Sequence, residues 1–91
     1  MKRRQFIQAV GIFPVGTLVE LNTGEIAVVL KENFTARLQP EIAVILNADK
    51  ERLDKFRVLD LFKQGTVEPE VWIERGVQPD AYDFDADEFF L

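Results

Sequence analysis

Ninety-one residues, 47% of them hydrophobic and 30% charged, describe one small folded domain rather than a disordered tail or a pair of domains. The chain has no Cys and no His, which removes disulfides, thiolate and imidazole metal sites, and the Ser-His-Asp and Cys-His routes to nucleophilic catalysis. The net charge of −5 is uneven: residues 1–16 hold Lys2, Arg3 and Arg4 with no acid, while residues 68–91 hold eight acids against Arg75 alone. So small a basic cluster beside an acidic remainder argues against nucleic acid as a partner.

Arg3-Arg4-Gln5-Phe6-Ile7 looks at first like a twin-arginine export signal. The apolar stretch behind it is broken by Gly11, Pro14 and Gly16 and meets Glu20 without an Ala-x-Ala site, so it reads instead as a short helical end. Phe6, Ile7 and Val10 share one helix face and Gly11 stops the turn. A helix this short is marginal alone and reads as the stub of something upstream. No run approaches the roughly 18–20 apolar residues that span a bilayer, so no membrane partner is expected and the chain reads as cytoplasmic.

From residue 17 the pattern is that of strands. Residues 17–21 and 25–31 flank Asn22-Thr23-Gly24, a hairpin loop whose last position suits the positive φ that Gly accepts without a Cβ clash. The second arm, Glu25-Ile26-Ala27-Val28-Val29-Leu30, returns almost letter for letter as Glu41-Ile42-Ala43-Val44-Ile45-Leu46. The two-residue period puts Ile26, Val28 and Leu30 on one face of the first copy and Ile42, Val44 and Leu46 on one face of the second. Ala27 and Ala43 take the other face, where a small side chain suits tight or partial cover. Pro40 suits a strand entrance, residues 47–52 make a turn, and residues 56–61 supply a fourth strand with 53–55 leading in. Residues 68–76 read as one or two helical turns, with Pro69 at the first position, acids early and Gly76 past the end. The tail alternates acids with Tyr82, Phe84, Phe89 and Phe90.

The expected fold is mainly β: a small antiparallel SH3-like barrel or a four-strand meander, with short helical segments at the N-terminus and after the last strand. Residues 1–11 are the helical stub, 12–67 the β domain, and 68–91 the short helix with its acidic-aromatic tail.

Sites of chemistry are scarce. Asp83, Asp85 and Asp87 open like a calcium loop, but position six is Glu88 rather than Gly and position twelve lies past Leu91, so a solvated acidic tail is the plainer reading. The chain has no Ser, and Thr17, Thr23, Thr35 and Thr66 have no His to activate them. Glu20, Glu25, Glu32 and Glu41 could pair as acid and base, yet strand carboxylates on exposed faces are usually only solvated. The glycines match neither phosphate-loop nor dinucleotide spacing. No catalytic residue, metal or cofactor is expected. Trp72, Tyr82, Phe89 and Phe90 suit an interface, and the core of a small domain competes for the same side chains.

The run from Phe6 through Gly11-Ile12-Phe13-Pro14-Val15-Gly16-Thr17 to Val29 resembles the segment that follows the catalytic HD-GYP domain in bacterial cyclic di-GMP phosphodiesterases. The similarity continues through Leu38-Gln39-Pro40 to Val44, Arg57 to Leu61, Gln78 to Asp83, and Glu88-Phe89-Phe90-Leu91. The resemblance implies a C-terminal accessory domain of such an enzyme. The HD pair, the GYP motif and the metal-binding His residues of that family are absent, so no active-site residue carries over. The implied role is contact, either with an upstream HD-GYP domain or within a homodimer. Phe6, Ile7, Phe13, Trp72, Tyr82, Phe84, Phe89 and Phe90 are the candidate interface residues. The alternative is an independent SH3-like or KOW-like module that binds a ligand or nucleic acid.

Overall fold

A computed structural model of the chain describes residues 13–64, 70–78 and 80–82. The expected N-terminal helical stub lies outside them. Five strands, β1 (Leu18–Leu21), β2 (Ile26–Lys31), β3 (Glu41–Leu46), β4 (Arg52–Asp60) and β5 (Ile73–Val77), form one antiparallel sheet in the order β4-β3-β2-β1-β5. The first four are a meander in chain order; the fifth returns to pair with β1, leaving β4 and β5 as the two edges. The mainly β expectation holds, as an open sheet rather than a closed barrel.

The stretch read as helical turns is the main correction. Its described part is extended: Ile73–Val77 is a strand, and Leu18 faces Val77, Val19 faces Gly76 and Glu20 faces Arg75. Two helical cues, Pro69 and Gly76, are outweighed because β1, paired with β2 on one side only, would otherwise leave a row of unpaired amides. A segment this short gains more from that ladder than from a helix it could barely nucleate. The period-two placement of Val71 and Ile73, both packed on one core cluster while Trp72 and Glu74 are exposed, is the strand signal that the Pro and Gly obscured.

Both sheet faces are covered. One cluster gathers Phe13, Val19, Leu21, Ala27, Val29, Ile42, Val44 and Leu61, with Leu53, Leu59, Val71 and Ile73 against it. The other gathers Leu18, Ile26, Val28, Ala43, Ile45 and Leu46, with Leu30, Phe56, Val77 and Tyr82 against it. The alternation holds through β2 and from Ile42 to Ile45 in β3, but it fails at Leu46 and the repeated arms do not share a face. In the β2–β3 register Ala27 opposes Val44 and Val28 opposes Ala43, so each small alanine sits beside a branched chain. A bulge near the end of β3 moves Leu46 to the face opposite Val44.

The hairpin tips are shaped by polar side chains. Gly24 has φ +92° and donates its amide to the Leu21 carbonyl at 2.9 Å. At the β3–β4 turn, Asn47 Oδ1 accepts the amides of Asp49 and Glu51, both at 2.9 Å, and Lys50 adopts a φ of 68°. The Asn side chain thus does there what a backbone carbonyl does in a tight turn.

Candidate interaction surface

Every buried side chain among the described residues is apolar or Pro40, so polar chemistry is confined to the surface. Among those residues no three or more His, Cys, Asp or Glu come together as a metal-ligand set. What the surface does offer is a groove of about 720 Å³ between residues 36–39 of the β2–β3 loop and the start of β5. Phe13, Leu38, Trp72 and Ile73 supply its apolar walls, and Arg37, Gln39 and Glu74 its polar ones.

Each wall is held in place from below. Asn33 Oδ1 accepts the amides of Thr35 and Ala36 at 3.0 and 3.1 Å, closing a local turn at the start of the loop. Arg37 lies 6.0 Å from the centre of the Phe34 ring. On the far wall, Asn22 behaves as a surrogate strand: its Oδ1 accepts the Trp72 amide at 2.8 Å and its own amide donates to the Trp72 carbonyl at 3.0 Å. Asn22 Nδ2 also donates to the Glu70 carbonyl at 3.1 Å. Gln64 does the same one residue along, its Nε2 donating to the Val71 carbonyl at 2.7 Å while its Oε1 accepts the Val71 amide at 3.3 Å. The Trp72 indole N–H donates to Glu74 Oε2 at 3.0 Å, which fixes the ring without burying it.

The result is a half-exposed apolar surface carried on hydrogen-bonded backbone. Trp72 is 49% exposed, Leu38 54% and Phe34 74%. Half-exposed aromatic and aliphatic chains set on a fixed backbone are what interface anchors look like before a partner arrives.

Of the candidate interface residues, the structure brings two together: Phe13, buried in the first cluster, and Trp72 line the same groove. Tyr82 is elsewhere, half-buried against the second cluster on the other face. Phe6, Ile7, Phe84, Phe89 and Phe90 lie outside the described residues, as do Asp83, Asp85 and Asp87 of the calcium-like run. Sequence reasoning missed Phe34, Arg37 and Leu38. Their signal was a pair of large apolar residues inside a segment that has no strand period and is bounded by Asn33 and Pro40.

A family model for the KOW domain associated with HD domain matches residues 18–83. The chain belongs to that family. It is also 37% identical over 71 residues to a cyclic di-GMP phosphodiesterase of Pseudomonas aeruginosa, a match that covers 78% of this chain and 17% of the relative's length. No solved structure matches the chain significantly. The expected resemblance to the region following HD-GYP domains is thus borne out, and the matched KOW segment contains all five strands, the groove's Leu38, Trp72 and Glu74, and both surrogate side chains. Phe13 falls just ahead of it. Among the described residues no helix is long and apolar enough to cross a membrane.

Proposed function

We propose that this chain is a non-catalytic accessory module that packs on an HD-type catalytic domain of a cyclic di-GMP phosphodiesterase. The carrying observation is the match of residues 18–83 to a KOW class defined by its association with HD domains. The absence of His from the sequence supports it, since the donor set of an HD metal centre cannot be drawn from this chain. The half-exposed Leu38 and Trp72 supply a surface suited to such packing.

A segment exchange tests the reading. The 71 aligned residues of the Pseudomonas phosphodiesterase are replaced by those of this chain, and cyclic di-GMP hydrolysis and melting temperature are measured beside the native enzyme and a version lacking the segment. The chimera is expected to retain hydrolysis, and the deletion to lose both activity and thermal stability. A deletion that leaves both unchanged overturns the proposal, as does hydrolysis by the isolated 91-residue chain.

A further inference from the structure

The groove offers more than apolar area. Its volume of about 720 Å³ is in the range that holds a small molecule, and polar side chains enter it from both sides. Arg37 brings a guanidinium from the loop side, and among the described residues no carboxylate pairs with it. Glu74 lines the β5 side. Its Oε2 accepts the Trp72 indole N–H at 3.0 Å, which sets the carboxylate at the edge of the ring. Among the described residues Oε1 has no partner.

These groups narrow the ligand by chemistry. A flat ring stacked on half-exposed Trp72 brings its own edge to the Glu74 carboxylate. An ionised carboxylate only accepts, and the indole takes one of its roughly four lone-pair sites. The ring edge must therefore donate, and adjacent N–H groups suit a two-oxygen acceptor best. Guanine presents such a pair at N1 and N2, whereas adenine presents only N6 on that edge. A basic peptide side chain would also suit Trp72 and Glu74, but Arg37 opposes a second cation in the same groove. Arg37 calls instead for an anion, and phosphate fits its planar fork. The net charge of −5 disfavours a long polyanion, yet exposed charges beyond about 8 Å are largely screened from one phosphate on Arg37.

We infer that the groove binds a guanine nucleotide, with the base stacked on Trp72, its N1–H and N2–H groups donating to Glu74, and its phosphate on Arg37. The accessory-module reading enters in one respect only: a nucleotide on Trp72 and a catalytic domain packed there exclude one another, so occupancy governs the packing. Binding is a property of this chain alone. It is tested without a catalytic domain, and its failure leaves the segment exchange above untouched.

Trp72 is the chain's sole Trp and reports on the site directly. Its fluorescence in the 91-residue protein, excited where guanine does not absorb, is followed during titration with GMP, AMP and guanosine. GMP is expected to quench it saturably. AMP is expected to bind about ten-fold more weakly for want of the donor pair, and guanosine about ten-fold more weakly for want of the phosphate. Glu74→Gln keeps an acceptor for the indole and is expected to bring GMP and AMP to equal affinity. Arg37→Ala is expected to reduce GMP to the affinity of guanosine. Both side chains are exposed, and unchanged melting by circular dichroism confirms that the variants fold. Cyclic di-GMP presents the same base edge and phosphate, so it is titrated beside GMP, and the one that saturates at lower concentration is the source. Quenching by both that fails to saturate below about 1 mM overturns the inference. So does equal affinity for GMP and AMP in the unmodified chain, an unchanged preference in Glu74→Gln, or saturable quenching by an arginine-rich peptide and not by GMP.

Discussion

Two parts of the molecule handle exposed groups in opposite ways. Where the hairpin tips meet, opposite charges are joined: Lys50 Nζ donates to the Gly24 carbonyl at 2.6 Å and to Glu20 Oε2 at 3.3 Å, while Arg75 reaches Glu20 Oε1 at 3.0 Å. One carboxylate thus ties β5 and the β3–β4 turn to β1, and one ammonium ties two hairpin tips together. Beside Trp72 and Leu38 the reverse holds, with a carefully fixed backbone presenting apolar area to solvent. The clamp is internally complete and asks for nothing. The groove is its counterpart, a hydrogen-bonded scaffold on which Leu38 and Trp72 stay half-exposed.

Substitutions can break or sharpen this contrast. Phe13 belongs to both the core and the groove, so Phe13→Ala carries the largest expected loss, about 3–5 kcal/mol, read as a fall in the midpoint of urea unfolding. Gly24→Ala comes next. Its φ of +92° strains any Cβ, and that Cβ would stand 3.5 Å from the Ala48 Cβ, an ordinary contact. The cost is therefore conformational, about 1–2 kcal/mol by thermal unfolding. Glu20→Gln removes one acceptor charge from two cations whose side chains are 32% and 48% exposed. The expected loss is about 0.5 kcal/mol at low salt, and it vanishes in about 1 M NaCl, where screening reaches only about 3 Å. Leu38→Ser, at the groove, is expected to change the stability of the 91-residue chain by less than about 0.5 kcal/mol. A loss above 2 kcal/mol there would show that Leu38 serves the core rather than contact.

The strands were legible because their signals are local. The turn glycine at position 24, the proline at position 40 and the two-residue period of the repeated arms survive any tertiary context. The fifth strand was hidden because its pairing partner, β1, is some fifty residues away, and near the chain Pro69 and Gly76 pointed to a helix. The groove was half legible. Phe13 and Trp72 stood out as large aromatics, but Leu38 and Phe34 sat in a loop, where no periodicity marks a side chain as important. Their place at the groove depends on the turn that Asn33 closes, and that of Trp72 on the Asn22 and Gln64 side chains that hold residues 70–72. Sequence spacing gives no hint that an amide side chain will stand in for a backbone.

The odd offset between the twin arms carries a further lesson about alignment error. Because branched or small apolar chains fill both sides of β2 and β3, sliding one against the other by a single position would still leave grease on each side. Hydrophobicity therefore cannot police this pairing. That job falls to the punctuation at the ends, where Lys50, just past β3, holds the Gly24 carbonyl just ahead of β2.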